Sequence, residues 1–77
     1  MERVKLIWDF RGPDAKKIAE HHIIHLNEFS AKESIIFENT GLIKLSDFMY
    51  SASVEINKID LDKVKNALKP HRGQRVE

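Results

Sequence analysis

The sequence contains no cysteine among its 77 residues, and it has only three glycines and two prolines. The absence of cysteine excludes a disulfide framework and a zinc site built from thiolates. No apolar run approaches the ~18 residues that a membrane-spanning helix needs, so we expect no membrane association. The first residues are charged and lack the apolar segment of a signal peptide, which predicts a cytoplasmic protein.

The net charge is nearly zero, because 13 lysines and arginines are balanced by 12 aspartates and glutamates. A basic run lies near the end of the chain and comprises Lys63, Lys65, Lys69, Arg72 and Arg75. Nucleic acid is one partner for such a run, but complementing a helix C-terminus is the simpler interpretation at this net charge. We therefore do not expect nucleic acid as a partner.

A chain of this length buries only about 60% of the surface that its unfolded state exposes, so it needs a further source of stability. Without cysteine, the remaining sources are a good core, a metal held by histidine and carboxylate, or a second copy of the chain. We expect a single domain over residues 1–70, a polar tail or short edge strand over residues 71–77, and a homodimer.

The first half of the chain predicts a strand followed by a helix. Residues 4–10 alternate between two faces, with Trp8 on one face and Asp9 on the other. A helix is predicted over residues 13–32, with Gly12 as its N-cap and Pro13 at its first position. Its apolar stripe comprises Ala15, Ile18, Ala19, Leu26 and Phe29.

The second half predicts two strands and a second helix. Residues 35–56 read as strand, with a turn at Ser46 and Asp47. The interruption at residues 39–41 is either a tight turn between two short strands or, as we favour, a bulge in one long strand. Asp60 is the predicted N-cap of the second helix, and Pro70 ends it. The order β-α-β-β-α, with a weak or missing last strand, predicts a two-layer α+β fold of the ferredoxin-like (split βαβ) type.

Both helices of such a fold cover one face of the sheet, and the other face is left open. We expect the open face to carry Ile7, Asp9, Met49, Ser51, Ser53 and Glu55. This mixture of apolar and polar side chains favours a homodimer through that face. RNA-binding sheets of this type need exposed aromatics, whereas Trp8, Phe48 and Tyr50 are predicted to face the helices.

Two histidines in the first helix, His21 and His25, are four residues apart and therefore share one helix face. Glu28 continues the same row. Imidazoles at this spacing can hold a divalent transition metal such as zinc, nickel or copper, and a carboxylate could complete the ligand set. The alternative is a pair of ordinary surface histidines, because metal sites usually need three or more ligands.

His22 falls within the apolar stripe, so its ring is predicted to face the sheet near Trp8. A buried imidazole needs a hydrogen-bond partner, and Tyr50 points the same way from its strand. His22 and Tyr50 are thus candidate catalytic residues, with His22 as general acid or base. The alternative is a satisfied core histidine. Asp9 lies on the opposite sheet face, which argues against a His–Asp dyad.

Arg11, His71 and Arg72 are the candidate ligand-binding residues. The end of the first strand and the end of the second helix could meet, and these side chains would then form a polar corner near His22 or His25. Such a corner suits a small anionic ligand. The sequence therefore favours a small homo-oligomeric interaction or ligand-binding module. The alternative is a small dimeric enzyme or a metal-binding protein that uses the histidines.

Overall fold

The computed structural model describes residues 2–76, which form a four-stranded sheet and two helices. No helix within these residues is long and apolar enough to cross a membrane. The elements in chain order are β1 (Arg3–Arg11), α1 (Ala15–Glu33), β2 (Glu38–Ser46), β3 (Met49–Asn57), a single 3-10 turn (Lys58–Asp60), α2 (Leu61–Leu68) and β4 (Arg72–Val76).

The sheet is antiparallel throughout, and its strand order is β2-β3-β1-β4. The predicted order left the last strand weak or missing, but β4 is present and pairs with β1 from Arg3 opposite Val76 to Ile7 opposite Arg72. The backbone N–H of His71 donates to the Ile7 carbonyl at 2.9 Å and extends this ladder. The strand was underestimated because backbone hydrogen bonds, rather than an apolar alternation, hold it in place.

The predicted alternation of β1 is confirmed. Leu6 and Trp8 are each 2% exposed on the face that the helices cover. The remaining buried members of this core are Leu26, Ile35, Ala52, Val54, Ile56 and Val64. The core therefore lies between the sheet and the two helices, as expected for a two-layer α+β domain.

Helix α1 begins at Ala15, two residues later than predicted, and Asp14 rather than Gly12 is its N-cap. Gly12 has a φ of 114°, which L-residues with a side chain rarely adopt. Its N–H donates to the Phe48 carbonyl at 2.9 Å. Gly12 thus makes the turn between β1 and α1, and this turn delays the start of the helix.

The hairpin of β2 and β3 contains the predicted bulge. Its register shifts between Glu38 and Gly41, and Asn39 has a φ of 50°. The placement of Phe48 was wrong: it precedes β3, which starts at Met49, and its side chain is 63% exposed rather than packed against the helices. The turn extends through this position, so the alternation of β3 begins one residue later.

Helix α2 has the predicted N-cap, Asp60, and ends at Leu68, two residues before Pro70. Its buried residue Val64 is completely covered. The indole N–H of Trp8 donates to the Leu68 carbonyl at 2.9 Å, which gives a terminal helix carbonyl a partner. This bond joins the end of α2 to the middle of β1.

Candidate functional site

A cavity of about 400 Å³ lies between α2 and the paired strands β1 and β4. Its lining residues are Glu2, Arg3, Val4, Leu6, Lys58, Leu61, Lys65, Pro70, His71, Arg72, Gly73, Gln74 and Arg75. The volume lies in the range of small-molecule pockets. The cavity exists because β4 extends the sheet by one strand beyond β1.

The floor of the cavity is apolar. Gly73 lies opposite Leu6 in the register of β4 and β1, and Arg75 lies opposite Val4. A methyl group at Gly73 would lie 3.6 Å from the Leu6 side chain and 3.9 Å from that of Val4. The glycine therefore leaves open a space that any side chain would occupy above these two residues.

The rim of the cavity is basic. Lys58 forms a salt bridge of 3.2 Å with Glu2, so its positive charge is compensated locally. Within residues 2–76, neither Lys65 nor Arg75 forms an ion pair. Arg75 also lowers the pKa of Glu2 electrostatically, although the two side chains form no ion pair among the described residues. The cavity thus combines an apolar floor with two cations, Lys65 and Arg75, that form no ion pair within residues 2–76, an arrangement that attracts anions.

Arg72 is engaged on the face of the sheet that the helices leave open. Its Nε and Nη2 atoms donate to the two carboxylate oxygens of Asp9 at 2.9 and 3.0 Å. The Ser51 hydroxyl also donates to Asp9, at 2.6 Å. The hydrogen bond from Ser51 is the largest cause that holds the pKa of Asp9 below its usual value, and the hydrogen bond from Arg72 is the second. The guanidinium therefore already has an anionic partner.

The structure places the predicted anion-binding residues in different surroundings. His71 and Arg72 line the cavity, whereas Arg11 does not and lies opposite Met49 at the far end of β1. The Nδ1 atom of His71 accepts from the Asp9 backbone N–H at 2.9 Å, which ties the ring to β1.

Sequence reasoning assigned neither Gly73 nor the two cations Lys65 and Arg75 to a ligand site. The basic run was the available signal for these two cations. The pattern did not show that residues on α2 and β4 would line the same cavity.

The predicted orientation of His22 is confirmed, because its ring centroid lies 4.9 Å from that of Trp8 and 5.5 Å from that of Phe10. Burial lowers the pKa of His22, and nearby His25 and His71 lower it further. Its Nε2 atom is buried without a hydrogen-bond partner among the described residues. The expected bond to Tyr50 is absent there, and Tyr50 packs instead with Ala15 and Ala19.

The histidines of the other candidate site, His21 and His25, do meet on the exposed side of α1. Their Nε2 atoms lie 2.8 Å apart. Glu28 contacts the Nδ1 atom of His25 at 3.1 Å, so it lies behind that ring rather than beside the two Nε2 atoms. No group of three or more potential metal ligands occurs within residues 2–76.

Comparisons of the chain with protein-family models, with curated proteins and with solved structures find no match.

Proposed function

We propose that the chain is a small binding module for an anionic amphiphile, a molecule that carries a carboxylate or similar anion on a short apolar body. The observation that carries the proposal is the cavity of about 400 Å³ with an apolar floor and a basic rim. Ligand pockets of this kind are mostly apolar and use a few polar groups to orient the ligand.

The apolar body of the ligand is assigned to the floor formed by Val4, Leu6 and Leu61. Gly73 supports this assignment, because the absence of a side chain leaves space next to Leu6. Burying an alkyl group there stabilises the complex by about 0.8 kcal/mol for each methylene removed from water. The floor accordingly favours a molecule with several methylenes over a bare inorganic anion.

The anionic group is assigned to Lys65 and Arg75, which form no ion pair within the described residues. The arginine reaches the cavity from β4 and the lysine from α2, so the two cations approach from different elements. His71 adds a ring at the same cavity. The small anionic ligand predicted from the sequence is therefore kept, but Lys65 and Arg75 contact its charge in place of Arg11.

A small ligand accounts for the basic run better than nucleic acid does. Lys63 forms a salt bridge of 3.0 Å with Glu33, and Arg72 is held by Asp9. Two of the five basic side chains of the run are therefore compensated within the chain. Of the three that remain, Lys65 and Arg75 line a concave cavity rather than a flat surface that could follow a phosphate backbone, and Lys69 does not line it.

A ferredoxin-like arrangement is part of the proposal. Its support is that β1 and β2 are both antiparallel to β3, so they run in the same direction on either side of it, as in a split βαβ unit. Helix α1 connects them.

A homodimer is also part of the proposal, but the surface that supports it differs from the open sheet face that the sequence predicted. Ile7, Ser51 and Ser53 of the open sheet face are only 3%, 1% and 4% exposed within the single chain, so they offer little surface to a second copy. The support for self-association is instead a set of exposed apolar side chains. These are Ile18, Ile24, Ile36, Leu42, Leu45, Phe48 and Ile59.

The test of the binding function is a titration of the full ¹⁵N-labelled chain with sodium octanoate, followed by amide chemical shifts. We expect saturable shifts centred on Leu6, Lys65 and Gly73. Octyltrimethylammonium, which has the same chain and the opposite charge, should bind more weakly. Equal binding of both amphiphiles would overturn the anionic assignment, and shifts scattered over the exposed apolar side chains would overturn the cavity.

Two lysines of α2 provide a matched pair of variants. Lys65 lines the cavity, and Lys63 does not. Lys65→Gln should weaken octanoate binding about two- to fivefold, the effect of one exposed charge contact, whereas Lys63→Gln should leave it unchanged. Binding of a short oligonucleotide that falls steeply with salt and depends equally on both lysines would favour a nucleic-acid function instead.

A further inference from the structure

The two exposed histidines of α1 not only share a helix face but also bring their Nε2 atoms close together. The Nε2 atoms of His21 and His25 point at one another across 2.8 Å. Their ring centroids are 4.4 Å apart, and the ring planes are inclined by 80°. Both side chains thus direct the same nitrogen to a common point above the helix surface.

Glu28 determines which nitrogen of His25 carries the proton. Its Oε1 atom lies 3.1 Å from the Nδ1 atom of His25, so Nδ1–H donates to the carboxylate. In the neutral ring, the Nε2 atom of His25 then has a free lone pair and accepts a hydrogen bond from Nε2–H of His21. A carboxylate behind an imidazole, which fixes its tautomer and raises its basicity, is the usual outer partner of a metal-binding histidine.

The separation of the two nitrogens matches a defined coordination geometry. Metal–imidazole bonds of 2.0–2.1 Å put nitrogens in adjacent square-planar positions about 2.9 Å apart, and tetrahedral positions about 3.3 Å apart. The observed separation is 2.8 Å. Square-planar or tetragonal coordination by nitrogen is typical of Cu²⁺ and Ni²⁺.

We propose that the Nε2 atoms of His21 and His25 chelate one Cu²⁺ or Ni²⁺ ion in adjacent positions, with Glu28 as a positioning residue behind His25. On binding, the Nε2 proton of His21 moves to its Nδ1 atom through solvent, so both Nε2 lone pairs face the ion. Water occupies the remaining positions, since the side chains of His25 and Glu28 are 56% and 68% exposed. This site is separate from the cavity on α2 and β4.

The sharpest control keeps the number of histidines and changes only their spacing. The double variant Lys17→His/His21→Lys exchanges two exposed residues of α1 and leaves composition and charge unchanged. It places the histidines at 17 and 25, about 12 Å apart along the helix, too far to share one ion. Far-UV circular dichroism should show the same helix content as in the wild-type chain.

The experiment is isothermal titration of the untagged full chain with nickel chloride, together with electron paramagnetic resonance of the Cu²⁺ form. We expect one Ni²⁺ per chain and a copper spectrum with two coupled nitrogens. The exchanged variant should bind Ni²⁺ at least tenfold more weakly, and its copper spectrum should show one coupled nitrogen instead of two. Equal nickel affinity in the exchanged variant, or no nickel binding by the wild-type chain, would overturn the site.

The role of Glu28 has its own test. Glu28→Gln should lower nickel affinity by about tenfold, the size of effect that outer carboxylates have on metal sites, while the two coupled nitrogens remain in the copper spectrum. An unchanged affinity would remove the positioning role. Loss of one nitrogen would show that the carboxylate had been needed to hold the ring in place.

Discussion

The carboxylate of Asp9 holds Arg72 with two hydrogen bonds, from Nε to Oδ2 at 2.9 Å and from Nη2 to Oδ1 at 3.0 Å. These residues are 63 positions apart in the chain and lie on adjacent strands. Arg72 is directly opposite Ile7, so its side chain passes that residue to reach Asp9. Ile7 is 3% exposed on the sheet face that α1 and α2 leave open. The ion pair therefore fastens β4 to β1 beside an apolar residue.

Asp9→Asn should destabilise the fold in a pH-dependent way. The lowered pKa of Asp9 means that its carboxylate stabilises the native state at any pH above the unfolded value of about 3.9. This contribution is lost as the pH falls from there through the native pKa, because protonation ends the pairing. Urea unfolding should give a loss of about 1–2 kcal/mol at pH 7 that shrinks toward pH 2. An equal loss at both pH values would contradict the prediction.

Ser51→Ala separates the two partners of Asp9. The variant removes the 2.6 Å hydrogen bond from the serine hydroxyl and leaves both arginine bonds in place. It should raise the pKa of Asp9 toward its ordinary value, because the largest cause of the lowering is gone. Carboxyl ¹³C shifts measured against pH would show this directly, and a native pKa unchanged from the wild type would assign the whole effect to Arg72.

Trp8→Phe should cost about 2–3 kcal/mol of stability. The change removes the indole donor of the Leu68 carbonyl at 2.9 Å and leaves a smaller ring in a core position that is 2% exposed. Thermal unfolding followed by far-UV circular dichroism measures the loss without relying on the single tryptophan. Hydrogen exchange should quicken first at the end of α2, and uniform quickening across the sheet would contradict this local role.

His22→Leu should stabilise the protein by about 1 kcal/mol. The substitution replaces a buried Nε2 atom that has no hydrogen-bond partner among the described residues with an apolar group facing Trp8. His21→Leu, at an exposed position of the same helix, supplies the contribution of the histidine-to-leucine change in helix propensity. If chemical denaturation showed His22→Leu to be destabilising relative to this control, the imidazole would have a stabilising partner in solution.

Gly73→Val should raise the stability of the fold and abolish ligand binding. A Cβ added at this position lies at an ordinary contact distance of 3.6 Å from Leu6, and β-branched residues favour strands, so stability should rise by about 0.5–1 kcal/mol. The added side chain fills the space above the floor of the cavity, so octanoate binding should be lost. Thermal unfolding and the amide titration test the two effects, and retained binding would place the ligand elsewhere.

Phe48→Ser tests self-association. The ring is 63% exposed at the turn before β3, so its removal should change the free energy of unfolding by less than about 0.5 kcal/mol. If the homodimer uses this ring, its dissociation constant should rise about fivefold or more, which corresponds to a contact of 1 kcal/mol. Sedimentation velocity over a range of concentrations provides the measurement. An unchanged dissociation constant would exclude the ring from the interface.

Most of the local structure could be predicted because it depends on near neighbours in the chain. The alternation around Trp8, the cap at Asp60 and the bulge near Gly41 are all properties of short segments. Phe48 was misplaced because the length of a turn decides where an alternation begins. The fourth strand was underestimated because it lacks an apolar pattern, and its pairing with β1 depends on residues more than 60 positions away.

The sequence by itself determined the two-layer class of the fold, the apolar face of β1, the inward direction of His22 and the common row of His21 and His25. Periodicity alone specifies these features, because side chains on a strand or helix repeat at set intervals. Only the tertiary structure decided that Arg72 pairs with Asp9 and that Gly73 opens a cavity beside Leu6. These relationships depend on which strands become neighbours and on which rotamers fit the space between them, and spacing along the chain encodes neither.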